Sequence, residues 1–213
     1  MFILENIDLV IFDFDGTLVD SLDDLVDSLN LALDKAGCKT VDPVELKMKL
    51  CLGSSSLLDD LIGDQRVLKK TVFGYYKEFY QKNMFNRTKL YDGALEVLQK
   101  LSKHKKLSLL TNKREATTRT MLSHFQLDHF FLEIIGGDTL DEKKPSPKPI
   151  FHICEKLNVS PERTVMIGDS HADIKAGKSA RAKTIGFING FSTREMLEAC
   201  QPDVFIESLA EIL

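Results

Sequence analysis

Residues 7–12 read Ile-Asp-Leu-Val-Ile-Phe, and residues 13–17 read Asp-Phe-Asp-Gly-Thr. The first stretch is short, β-branched and almost continuously apolar. Such a pattern belongs to a strand buried on both faces, as in a parallel sheet covered by helices. Polarity rises abruptly at Asp13, where the strand must end. The chain repeats this arrangement. Residues 107–110 (LSLL) run into Thr111-Asn112-Lys113, and residues 130–135 (FFLEII) run into Gly136-Gly137-Asp138. Residues 164–167 (TVMI) run into Gly168-Asp169-Ser170, and residues 183–188 run into Asn189-Gly190. Residues 204–206 make a weaker last strand.

Helical periodicity separates these strands. Leu95, Leu98 and Leu101 mark one helix, opened by Asp92. Met121, Leu122 and Phe125 mark a second. Ile150, Phe151, Cys154 and Leu157 mark a third, entered through Pro147 and Pro149. The alternation predicts an α/β fold with a parallel sheet and right-handed crossovers. One stretch departs from it. No strand pattern appears from about Val19 to Arg87. Ser21 and Asp24 have capping-box spacing ahead of an apolar stripe at Leu22, Leu25, Val26, Leu29 and Leu33, which stops at Gly37. Leu57, Leu58, Leu61 and Ile62 predict another helix, and Val72, Tyr75, Tyr76, Phe79 and Tyr80 a third. The predicted organisation is a core of residues 1–18 and 88–213, with a helical domain of residues 19–87 inserted after the first strand.

The 213 residues suffice for one sizeable core, or a core with a smaller insertion. A net charge of −4 gives no reason to expect a nucleic-acid partner. The first fourteen residues lack a basic start and carry Glu5, Asp8 and Asp13, so no signal peptide is expected. No apolar run approaches the length of a membrane span. Cys38, Cys51, Cys154 and Cys200 have no metal-ligand spacing and read as inert thiols in a reducing compartment. The cytoplasm is the expected location.

Each informative polar cluster falls just after an expected strand, where open α/β sheets form their ligand crevice. Asp13-x-Asp15-x-Thr17 offers a carboxylate able to attack phosphorus and a second one able to exchange protons. Alone, it equally suits an acidic strand-to-turn junction. Thr111-Asn112-Lys113 offers a hydroxyl and amides for a phosphate group, or a plain helix cap. Lys143-Lys144-Pro145-Ser146-Pro147 offers an ammonium group over the site, or a solvated basic loop, which is the reading for Lys143. Gly168-Asp169-Ser170-x-x-Asp173 places two carboxylates on one side of a first helical turn. They are hard ligands of the kind Mg2+ takes, or a cap favoured by the helix dipole. Capping alone does not account for all four occurring in this order. Asp13, Asp15, Asp169 and Asp173 against Lys144 also leave an excess of negative charge. A divalent cation and a proton on Asp15 would relieve it.

The motifs Asp13-Phe-Asp15-Gly-Thr17, Leu-Thr111-Asn-Lys, Lys144-Pro-Ser-Pro and Gly168-Asp-Ser-x-x-Asp173 resemble, in order, the four signatures of the haloacid dehalogenase superfamily. The resemblance implies a Rossmann-like core with a helical cap inserted after the first motif, and such a cap is expected to close over the substrate and exclude water. It implies Asp13 as nucleophile and Mg2+ ligand. Asp15 would be the general acid/base and would lend its backbone carbonyl to the metal. Thr111 and Asn112 would bind phosphate, and Lys144 would stabilise charge. Asp169 would ligate Mg2+ with Asp173 in support, and Thr17 would orient Asp15. Within the superfamily the chain is most similar to the phosphoglycolate phosphatase group, through Thr-Asn-Lys, the Gly-Gly-Asp run and Gly186-Phe-Ile-Asn-Gly190. The implied activity is hydrolysis of a small-molecule phosphate ester, with Gly53-Ser54-Ser55-Ser56 as a candidate specificity element. Phosphosugar mutase, pyrophosphatase and nucleotidase activities would use the same core, and a non-catalytic binding module would share the fold. A dehalogenase would not need Asp15. A phosphonatase would need a cap lysine of lowered pKa, which no sequence context suggests.

Overall fold

The computed structural model describes residues 4–51, 57–63 and 65–213. Contacts divide it into two units. One comprises the N-terminal segment through Val19 together with Leu90–Leu213, and the other is Asp20–Lys89.

The first unit is α/β. Strands β1 (Leu9–Phe12), β4 (Lys106–Leu110), β5 (Glu133–Ile135), β6 (Thr164–Gly168), β7 (Lys183–Phe187) and β8 (Val204–Ile206) form one sheet in the order β5-β4-β1-β6-β7-β8. Every pairing in it is parallel. All four residues of β1 are buried, which explains its unbroken apolar sequence. Leu9 and Ile11 join Leu110, Met166 and Ile135 in a core completed by Ile150, Ile153, Cys154, Ala176 and Ala180. The last five lie on α7 (Lys148–Leu157) and α8 (His171–Ala180). The sheet order reverses at β1: β4 and β5 lie to one side of it, and β6, β7 and β8 to the other. A crevice opens at the carboxyl ends of the strands at such a switch point, and Asp13 stands there. The register fixes its level. Phe12 is opposite Leu109 on β4 and Ile167 on β6, and Asp13 N–H donates to the Ile167 carbonyl at 2.8 Å.

The second unit is helical: α1 (Leu22–Lys35), α2 (Pro43–Cys51), α3 (Leu57–Ile62) and α4 (Arg66–Asn83). Val26, Leu29, Ala32, Leu33, Leu46 and Val72 form its core. Two short strands, β2 (Val19–Asp20) and β3 (Lys89–Leu90), pair where the chain leaves the first unit and returns. Among the described residues no helix is long and apolar enough to cross a membrane.

The structure corrects several local expectations. Helix α2 is not among the expected helices, because Val44, Leu46, Met48 and Leu50 do not gather into one helical stripe. Only Leu46 of these is buried, while Val44 and Met48 lie open. Ser21 and Asp24 do not make a capping box. Ser21 makes no side-chain cap bond, and Asp24 instead accepts from the backbone N–H groups of Arg87 and Thr88 and from the Thr88 hydroxyl. The buried Asp24 thus ties the start of this unit to its end. Asp128–Phe130 is a 3-10 turn, and β5 begins only at Glu133. Helix α5 (Ala94–Leu101) starts after Gly93 rather than Asp92. Leu95 and Phe151 point to solvent, although both sit in apolar helical runs. The Gly53-Ser54-Ser55-Ser56 segment lies outside the described residues.

Candidate active site

Four adjacent strands, β5, β4, β1 and β6, send their carboxyl-terminal loops to one edge. The loop after β1 folds on itself, with Val19 N–H on the Phe14 carbonyl at 3.0 Å and Gly16 N–H on the Val19 carbonyl at 2.8 Å. Gly16 has φ +81, and a Cβ there would run into the Asp169 carboxylate. The glycine is therefore required both by the turn and by the close approach of two loops. Gly190 meets the same carboxylate from the β7 side, where a Cβ would collide with Asp169 and with the Gly16 carbonyl.

Asp13, Asp169 and Asp173 are all buried, and one carboxylate oxygen from each lies within 4.8 Å of the others. Lys144, 2% exposed, places its Nζ 2.8 Å from Asp13 Oδ1 and 2.5 Å from Asp173 Oδ1. Asp13 Oδ1 also accepts the Phe14 N–H at 2.7 Å. Asp13 Oδ2 takes part in neither bond, and Asp13 keeps 7% exposure. Asp169 Oδ2 accepts the Phe191 N–H at 2.7 Å, and its Oδ1 accepts the Thr17 hydroxyl at 3.2 Å. Asp173 Oδ2 accepts from the N–H and the hydroxyl of Ser170 at the start of α8.

These contacts settle where each expected residue sits. Asp13, Asp169, Asp173 and Lys144 come together. Asp15 lies two residues beyond Asp13, and its side chain stands outside the three-carboxylate cluster. Its Oδ2 pairs with Lys113 Nζ at 3.0 Å. Thr17 was expected to orient Asp15, but its hydroxyl proton goes to Asp169. Asn112 was expected on phosphate, but its side-chain amide donates to the Lys144 carbonyl at 3.0 Å and braces that loop. Thr111 is buried, and its Oγ1 accepts the Lys113 N–H at 3.2 Å. Asp173 both caps α8 and holds Lys144. Lys143 is exposed, as its solvated reading requires. Sequence reasoning missed Lys113 as a site cation and Phe191 as a backbone donor. The β1–β4 adjacency was the available signal for Lys113.

The charge balance is also revised. Lys113 adds a second ammonium to Lys144, so two cations, not one, face the four acidic side chains. The donors are hard oxygens, which suit Mg2+ or a similar cation. The residues present therefore fit such an ion.

Burial, together with the nearby Asp173 carboxylate, pushes Asp13 well above the usual carboxylate range. Burial and Asp173 likewise raise Asp169 to about 7, against the Phe191 and Thr17 hydrogen bonds. Burial works against charge on Lys144, yet Asp13 and Asp173 hold it above its ordinary value. The sign for stability follows. The unfolded chain releases the Asp13 and Asp169 protons near pH 4, whereas the folded, metal-free protein releases them at higher pH, Asp169 at about 7. Metal-free stability should therefore fall as pH rises from about 5 to about 7. Lys144 stays charged throughout this window, and the lowered surface carboxylates such as Asp8 and Asp138 titrate below it. Urea titrations in chelator should show the decline, and Asp169→Asn should flatten it. A wild-type curve that rises over this interval would contradict the assignment.

The molecule is thus a Rossmann-like α/β core with paired carboxylates and ammonium groups at the switch point of its sheet. Residues 10–187 match the haloacid dehalogenase-like hydrolase family. The chain is 34% identical to a phosphoglycolate phosphatase of Chromobacterium violaceum, over 98% of this chain and 96% of that protein. It is 36% identical to one of Psychrobacter arcticus, over 91% and 89% of the two chains. The crystal structure of a predicted phosphoglycolate phosphatase from Haemophilus somnus superposes with a TM-score of 0.90 at 29% identity, covering 97% of this chain and 96% of that one. The chain belongs to the haloacid dehalogenase-like hydrolase family, and within it the chain is a phosphatase.

Proposed function

We propose that the protein is a Mg2+-dependent phosphatase that hydrolyses a small phosphate monoester through a phosphoryl group carried on Asp13. Its relatives' names make phosphoglycolate the first substrate to test. In this reading the α/β unit is the catalytic core and the helical unit its cap. The observation that carries the reading is Asp13 itself: a carboxylate at the end of β1, buried beside Asp169 and ion-paired with Lys144 at 2.8 Å.

Asp13, Asp169 and the Asp15 backbone carbonyl would hold Mg2+, with Asp173 in support. The bound ion would offset negative charge on the carboxylates and the phosphoryl oxygens. Asp13 attacks phosphorus, so an Asp13–P bond forms as the bond to the leaving oxygen breaks. Asp15 gives its proton to that oxygen. It then takes a proton from a water whose oxygen attacks phosphorus, which frees Asp13 and inorganic phosphate. Lys144 holds Asp13 in place and balances charge at the phosphoryl group. The Thr111 hydroxyl, just after β4, would donate to a phosphoryl oxygen.

The test is phosphate release from a panel of metabolite phosphates, phosphoglycolate included, with Mg2+ and with chelator. Release is expected with Mg2+ and should be abolished by chelator. Undiminished release in chelator would overturn the metal assignment. Sugar phosphate isomerisation outpacing phosphate release would replace hydrolysis with a mutase reaction.

A further inference from the structure

We infer that Lys113 is the positioning residue of the acid/base carboxylate Asp15, as Lys144 is for Asp13. The inference rests on the proposed acid/base role of Asp15. Lys113 Nζ lies 3.0 Å from Asp15 Oδ2, and its side chain is only 8% exposed. A lysine this enclosed on a strand-end loop is not a solvated surface charge.

The loop that carries it is fixed from several sides. Lys113 N–H donates to Thr111 Oγ1, and the Lys113 carbonyl accepts the Gly137 N–H at 2.7 Å. A Cβ on Gly137 would strike the Asn112 carbonyl, so the β5 loop packs directly on this one. Asn112 in turn braces the Lys144 backbone. One rigid assembly of the β4 and β5 loops thus aims two ammonium groups at the two carboxylates of Asp13-Phe14-Asp15. They divide the work: Lys144 meets the carboxylate that bonds to phosphorus, and Lys113 meets the one that moves the proton. As the proton passes from Asp15 to the leaving oxygen, negative charge develops on Asp15. Lys113 is preorganised to receive that charge.

The experiment is single-turnover phosphoryl transfer to the Mg2+-loaded enzyme from two esters. An alkyl phosphate needs its leaving oxygen protonated, whereas p-nitrophenyl phosphate hardly does. Lys113→Met should slow transfer from the alkyl ester about 10- to 100-fold, within the span of general acid catalysis, and transfer from the aryl ester less than about threefold. Lys113→Arg should restore most of the alkyl rate. Equal losses on both esters, or no loss on either, would overturn the inference. Asp15→Asn is measured alongside. If it shows the leaving-group dependence and Lys113→Met does not, only the role of Lys113 falls. If Asp15→Asn shows none, the acid/base reading of Asp15 falls first. Thermal melts of each variant check folding, and Lys113→Gln replaces the Met variant should that one melt early.

Discussion

Asp13→Asn should abolish turnover, with a loss of at least about 10^4-fold, the scale on which removing a nucleophile acts. The substitution keeps the size of the side chain and its hydrogen-bonding oxygen but removes the charge that attacks phosphorus. It also relieves a cost. Asp13 is buried beside Asp173 and Asp169, and its carboxyl group is already driven toward the neutral form. The metal-free variant should therefore be no less stable than the wild type, because a neutral amide suits this position better than a crowded carboxylate. Steady-state assays and chelator melts check the two halves together. Loss of activity with unchanged or raised melting temperature is the expected pair. A variant that retains wild-type rates would remove Asp13 from the chemistry.

Lys144→Met should be the most destabilising single change in the site. The ammonium group is enclosed between Asp13 and Asp173. Removing one partner of a buried ionic cluster costs about 3–5 kcal/mol, because the carboxylates left behind keep neither water nor counter-charge. The loss depends on pH in a defined sense. At low pH Asp13 and Asp169 can take protons and relieve the repulsion, so the penalty should grow as pH rises through about 7. Turnover should fall about 10^2- to 10^3-fold at a pH where the variant still folds, as when an electrostatic stabiliser is removed. Urea denaturation at two pH values reads the stability, and a loss that shrinks as pH rises would be the wrong sign. The Lys144→Met/Asp13→Asn double variant should recover part of the loss, since one of the two stranded charges is gone.

Much of this was legible in the sequence, for physical reasons that particular residues display. Strands β1, β4, β6 and β7 are buried on both faces, so burial writes a continuous apolar run into each. The polarity step at Asp13, Thr111 and Asp169 then marks where each strand passes into its carboxyl-end loop. Asp173 was legible because helical spacing returns it to the face of Asp169. What escaped shares one feature: its meaning depends on distant partners. Asp24 has the local spacing of a cap, yet it serves Arg87 and Thr88, 63 and 64 residues away. Thr17 sits beside Asp15 in the chain but donates across 152 residues to Asp169. Lys113 follows Thr111 and Asn112 in a stretch that reads as a phosphate seat or a helix cap, and its ammonium gains a partner only when the β4 loop is laid beside the β1 loop. Phe191 acts through its backbone N–H, which carries no signature in a side-chain alphabet. Helix α2 escaped because Val44, Leu46, Met48 and Leu50 make no single helical apolar stripe, and of these four only Leu46 is buried.

The most direct test of the account is to quench the Mg2+-loaded enzyme during turnover and reduce it with borohydride, which converts an aspartyl-phosphate to homoserine. Peptide mass spectrometry should then find homoserine in place of Asp13, dependent on substrate and absent in chelator. Homoserine at any other aspartate, or none at position 13 while phosphate is being released, would contradict it.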